Sequence, residues 1–255
     1  MNVIILCEGE SDRVVLDRYF CNRFGFLHKG DGEIRNEYIE DCYYEKDQIL
    51  LTIRVVQGCT KFCTKLEEVL RVNYVNTNLQ NRYTHIAVIA DHDSEAEKNA
   101  LLQELNQILQ KYNLPNFQDG AWCKGRQPTA MGGRLIDVET LFLGIPLEGE
   151  GALETALLSG LEKTAKGACL ARVSRKFVQC LVKHKEKENM PYLSVREDQV
   201  KAPLAVYLAI AAPTHIYQKY RKILSKIDWN ELAEIQRTLQ AFDLFDGAER
   251  PSDEI

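Results

Sequence analysis

A chain of 255 residues, 45% hydrophobic and 27% charged, has room for one large α/β domain or for an α/β domain with a helical annex. No apolar run approaches the roughly 20 residues of a bilayer-spanning helix, and no basic-then-apolar leader opens the sequence. A cytoplasmic protein without a membrane partner is therefore expected, with reduced thiols at its eight cysteines.

In chain order, Val3-Ile4-Ile5-Leu6-Cys7 predicts a buried strand over 2–7. A helix over about 12–25 follows, with Val15, Leu16, Tyr19, Phe20 and Phe24 as its apolar stripe. Residues 28–48 are polar and read as an inserted loop or hairpin. The run Ile49–Val56 predicts a second strand, ended by Gly58, and a helix is expected over about 60–75. Cys59 and Cys63 lie four apart there, but no second ligand pair follows at zinc-finger spacing.

A strand over 85–90 comes next, then a helix over about 95–112 with Leu101, Leu105, Ile108 and Tyr112 in phase, Ser94 as cap and Pro115 as stop. A short strand near 117–123 completes a β-α-β-α-β-α-β alternation, which favours a parallel sheet covered by helices. Residues 124–150 read as a Gly- and Pro-rich loop around Ile136–Leu143.

Beyond 151 the pattern is helical. Leu153, Leu157 and Leu161 mark one helix, and Leu170, Val173, Phe177 and Leu181 another. Asp228 caps a last one carrying Leu232, Ile235, Leu239 and Phe242. The domain boundaries expected are a core over 1–125, a loop plus helical part over 126–247, and a polar tail over 248–255.

Two acidic clusters, Glu8-Gly9-Glu10-Ser11-Asp12 and Asp91-His92-Asp93, directly follow the first and third predicted strands. Carboxylates at the carboxyl ends of buried strands pack poorly, yet they suit a hard divalent cation in the crevice where open α/β sheets bind ligands. Asp91 and Asp93 point to one side of an extended chain and His92 to the other, where it takes a structural or supporting role. If the first and third strands are neighbours, Glu8, Asp12, Asp91 and Asp93 converge, and without a cation they repel. The plainer reading is that Asp12 or Asp93 only caps the helix that follows.

Glu8-Gly9-x-x-Asp12 after one hydrophobic strand and Asp91-x-Asp93 after a later one resemble the Toprim signature. That catalytic domain is shared by topoisomerases, bacterial primases, small ribonucleases and the overcoming-lysogenisation-defect (OLD) nucleases. The likeness covers roughly residues 1–125, and the insertion at 28–48 accounts for spacing longer than in compact Toprim domains. It implies an α/β fold with a Toprim-like Rossmannoid parallel sheet flanked by helices, followed by a mainly helical C-terminal part. Gly151-Ala152-Leu153-Glu154-x-x-Leu157-Leu158 and the later Lys201 resemble the OLD-type nucleases and a standalone Toprim family.

By that resemblance Glu154 is a further metal ligand and Lys201 a phosphate contact, with Glu139 a competing carboxylate. The same string also reads as an amphipathic helix, and Lys201 as a solvated lysine. OLD nucleases carry an ATPase domain. No Gly-x-x-x-x-Gly-Lys-Ser/Thr loop occurs here, so a separate ATPase is the implied partner.

The expected function is a nuclease that cuts DNA or RNA with Mg²⁺ or Mn²⁺, two ions in all. Glu8, Asp91 and Asp93 would hold them, Asp12 and Glu154 would complete the second position, and Lys201 would offset phosphate charge. The net charge of −5 does not advertise nucleic acid, but bound cations would cancel the acidic ligands locally. Arg172, Arg175, Lys176 and Lys183, with Lys185 and Lys187, form a basic stretch to guide the phosphate backbone, its plain alternative being a solvated helix face. The competing function is a non-catalytic regulatory or assembly subunit that binds a nucleotide or a partner protein. Strand passage and priming would need larger DNA-gripping modules than this length allows. The sequence leaves monomer and homodimer open.

Overall fold

A computed structural model describes residues 1–32, 34–35, 38–76, 78, 81–130, 134–188, 193, 195–211, 224 and 227–246. The chain divides into two compact units, Met1–Leu147 and Glu148–Ile255.

The first unit is built on a seven-stranded sheet in the order β2-β5-β6-β1-β7-β9-β8. Its centre is parallel: β1 (Asn2–Cys7) lies between β6 (Ile49–Val55) and β7 (His85–Asp91), and β7 continues onto β9 (Leu135–Ile145). The edges are antiparallel, with β5 (Asp41–Lys46) and β2 (Leu27–Asp31) on one side and β8 (Cys123–Pro128) on the other. A separate small ribbon pairs β3 (Ile34–Arg35) with β4 (Tyr38–Ile39).

Near-continuous apolar runs in β1 and β7 are what a strand covered on both faces requires. Ile4, Leu6, Ile86, Val88 and Ala90 pack against Leu66, Val69 and Leu70 of α2 (Phe62–Val75) and Leu105, Ile108 and Leu109 of α3 (Glu95–Lys111). Cys7, on the alternate face, lies within reach of the charges of Asp12 and Arg13 in α1 (Glu10–Tyr19). The chain then widens into a π-helical turn, Phe20–Phe24. Buried Asn73 fixes the approach to β7: it accepts from the Tyr83 backbone N–H and donates to the Tyr83 carbonyl, both at 2.8 Å.

The α/β expectation holds, with three changes. The strand expected near 117–123 is reduced to isolated bridges at Gln118 and Asp119, and β8 begins at Cys123, antiparallel rather than parallel. Residues 135–145 are not loop but the longest strand of the sheet. The turn-forming residues around β9 hid an apolar half, Leu141–Ile145, that the sheet buries beside β7. The first unit therefore closes after Leu147, not at 125. The 28–48 insertion supplies β2 and β5, which extend the main sheet.

The second unit is helical, with α4 (Leu153–Lys163), α5 (Ala168–Glu188) and α6 (Arg196–Ala211), the last with Pro203 inside it. On α5 the buried stripe is Ala171, Ser174 and Val178, whereas Val173 and Phe177 are each 52% exposed. Small residues at 171 and 174 let a neighbouring backbone approach closely, so the bulkier stripe expected from the sequence faces out. Leu232, Ile235, Leu239 and Phe242 are buried as expected, but over three short helical pieces, Trp229–Glu231, Ala233–Thr238 and Gln240–Asp246. The Asp228 carboxylate accepts from the Asn230 N–H and caps the first piece. The polar tail over 248–255 lies outside the described residues. Among the described residues no helix is long and apolar enough to cross a membrane.

Candidate functional site

At the carboxyl edge of the sheet β1 and β6 end level, at Cys7 and Val55, and β7 and β9 run two residues further, to Asp91 and Ile145. Cys7 pairs with Ile89 of β7 and with Val55 of β6, so the register carried one residue on sets Glu8 level with Ala90. Asp91 closes β7 opposite Ile145 of β9, and the His92 N–H donates to the Ile145 carbonyl at 2.7 Å. Glu8 and Asp91 thus leave adjacent parallel strands, whose axes lie about 4.8 Å apart.

The end of β6 fixes the Glu8 backbone. The N–H groups of Gln57 and Gly58 both donate to the Glu8 carbonyl, at 3.0 and 3.2 Å. That turn needs positive φ at both residues, 62° at Gln57 and 105° at Gly58. The second value suits glycine, and the first is uncommon for a residue with a side chain.

In the second cluster, His92 is buried while Asp91 is half-buried and Asp93 exposed. The His92 ring turns inward, with Nδ1 3.2 Å from the Pro146 carbonyl and Nε2 2.9 Å from the Glu95 carboxylate. This is the supporting role expected of it. The plain reading of Asp93 as a cap does not apply, because Ser94 caps α3, its hydroxyl accepting from the Glu97 N–H at 3.2 Å.

Asp12 does act as a cap. Its Oδ2 accepts from the Gly9 N–H at 2.8 Å, closing the turn between β1 and α1, and the residue is 3% exposed. It holds the Glu8-Gly9 turn in shape.

Cys59, just past the Gln57-Gly58 turn, senses the acidic edge. Its thiol pKa is pushed up first by partial burial, then by the negative charges of Glu8 and Asp93. Both clusters therefore act on one region of space. They do not form a tight cage: among the described residues, Glu8, Asp91 and Asp93 are not a triad with all ligand atoms within 4.8 Å of one another. The edge is an open, oxygen-only, negatively charged rim.

Lys98, which sequence reasoning passed over, borders this rim. Its ammonium lies 3.1 Å from Glu95 Oε1 and 3.3 Å from Asp119 Oδ2. Its stem crosses Gly144 of β9, where an added Cβ would come within 2.8 Å of the lysine Cδ. Burial works against the Lys98 charge, but pairing with Glu95 and Asp119 outweighs it and raises the pKa. The i,i+3 pair with Glu95 was visible in the sequence; that Gly144 lies beneath it required β9 to be recognised as a strand.

The remaining candidates belong to β9 or to the second unit. Glu139 pairs in register with His85, the first residue of β7. Six residues at ~3.3 Å each separate that end from Asp91, roughly 20 Å, so Glu139 is no competing ligand at the rim. In the second unit, Glu154 occupies the first turn of α4, 3% exposed, and its Oε2 has no hydrogen-bond partner among the described residues. Lys201 is half-buried on α6. Arg172, Lys176 and Lys183 are exposed on α5, whereas Arg175 is drawn to Glu162 at 2.9 Å. The side chains of Lys185 and Lys187 lie outside the described residues.

No family model matches the sequence, and no curated protein matches it either. Among solved structures, a hypothetical protein from Pyrococcus horikoshii OT3 is similar, with a TM-score of 0.54 and 16% identity over 97% of this chain and 99% of that one. The likeness is one of fold.

Proposed function

We propose that the carboxyl rim binds Mg²⁺ or Mn²⁺ and that the protein is a Toprim-type nuclease hydrolysing phosphodiester bonds of DNA or RNA. The observation that carries this reading is the emergence of Glu8 and Asp91 from adjacent parallel strands, one residue apart in register. The donor set fits: all are carboxylate oxygens, the ligands hard cations prefer, and two of the three lie half-buried. The shared effect of Glu8 and Asp93 on Cys59 further supports a common negative field.

Bound cations would supply Lewis acidity and charge neutralisation for an in-line displacement at phosphorus. Glu8, Asp91 and Asp93 would hold them, Asp12 would keep the Glu8 turn in place, and the Lys98 ammonium would temper the negative charge beside β9. Glu154 and Lys201 carry roles only through the Toprim resemblance, as does a separate ATPase partner. The protein is expected to cleave DNA or RNA with Mn²⁺ or Mg²⁺, and Asp91→Ala is expected to abolish cleavage without lowering the unfolding temperature. Undiminished cleavage by that variant would remove the assignment.

The openness of the rim favours one second reading, a non-catalytic subunit that binds a nucleotide or a partner. Tight metal binding by calorimetry, with no cleavage alone or with an ATPase, would favour it.

A further inference from the structure

A second set of donors sits on the edge ribbon formed by β2 and β5. His28 pairs with Tyr44, but Gly30 pairs with Tyr43 and Asp31 with Cys42, so one residue of β2, Lys29, is bulged out. Residues three apart in a regular strand face opposite sides. The bulge restores the phase and brings His28 and Asp31 to the side shared by Cys42 and Tyr44. The result is compact: His28 Nε2 lies 2.9 Å from Asp31 Oδ1, and the Cys42 thiol donates to the same oxygen at 3.2 Å. The three ligand atoms all lie within 4.8 Å of one another.

We propose that His28, Asp31 and Cys42 form a zinc site that clips edge strand β2 to β5. One nitrogen, one oxygen and one sulfur suit a borderline cation such as Zn²⁺ and not Mg²⁺. In a tetrahedral zinc site such atoms stand about 3.3–3.6 Å apart, so small side-chain movements suffice. Three protein ligands leave the fourth position to water.

The surrounding charge fits a dication. Buried Arg13 donates to Cys42 Sγ at 3.0 Å and pairs with Glu10. With Cys42 as thiolate, Asp31, Cys42 and Glu10 carry three negative charges against the one positive charge of Arg13, a surplus of two among these four groups that Zn²⁺ cancels. The thiol proton now donated to Asp31 leaves to solvent on binding. The clip also answers a local weakness, because β2 is largely exposed, Leu27 to 66%, and little apolar burial holds it. None of its three ligands is among the rim carboxylates Glu8, Asp91 and Asp93.

The test uses the full, reduced, metal-stripped chain titrated with Co²⁺. The expected result is one tetrahedral Co²⁺ with a thiolate-to-cobalt charge-transfer band, displaced by Zn²⁺ and not by Mg²⁺. Cys42→Ser should abolish the band, and His28→Ala, an exposed position that tolerates change, should weaken binding on the order of 10–100-fold or more. A variant with Ser at the exposed Cys59, Cys169 and Cys180 should retain the band, as should Asp91→Ala. A band that survives in Cys42→Ser, wild-type affinity in His28→Ala, or no band in the wild type would each overturn the proposal.

Discussion

Asp12 and Asp93 looked alike in the sequence, each an acidic residue just after a strand, and their neighbours give them different work. The N-cap of α1 is Gly9, which has no side chain to cap with, so the Asp12 carboxylate takes the Gly9 N–H. Asp93 is followed by Ser94, whose hydroxyl caps α3 and leaves the aspartate exposed. Asp12→Ala should therefore cost about 1–2 kcal/mol in urea unfolding, while Asp93→Ala should cost almost nothing. Equal losses would contradict the division. A second residue-level test concerns acid. Hydrogen bonds from Lys163 and Arg237 hold the Glu234 carboxyl below its usual pKa. A depressed carboxylate stabilises the fold above its unfolded pKa of about 4.3, and that contribution disappears as the pH falls through the lower folded value. Glu234→Gln should lose about 0.2–1 kcal/mol at pH 7 and show a flatter stability profile between pH 5 and 3. An unchanged profile would mean that the pair contributes nothing.

At the level of elements, legibility followed the strength of the periodic signal. Strands β1 and β7 are unbroken apolar runs, so their existence, their pairing and the acidic residues at their ends could all be read before any coordinates. Strand β9 could not, because Gly and Pro around it imitate a loop and because it begins with polar residues. Missing β9 also hid Lys98, whose setting depends on Gly144 beneath it. Helix α5 failed for a different reason: it carries two stripes, and hydrophobicity alone favoured Val173 and Phe177 over Ala171 and Ser174. Packing chose the small residues. Val178→Ala should thus cost about 1–3 kcal/mol, and Phe177→Ser should stay within ±0.5 kcal/mol, both by denaturant titration. The reverse order would restore the sequence-based face.

For the whole molecule, a net charge of −5 is compatible with nucleic-acid binding only if positive charge is concentrated. On α5 the exposed Arg172, Lys176 and Lys183 supply such a concentration, while Arg175 is tied to Glu162. If that face contacts phosphates, Arg172→Ala with Lys176→Ala should reduce the slope of log affinity against log salt by about 1.4–1.8. An unaltered slope would return the helix face to solvent. The central claim concerns the rim itself, and a crystal soaked in Mn²⁺ tests it most directly. An anomalous peak bounded by Glu8, Asp91 and Asp93 is predicted; a map with no peak there would contradict it.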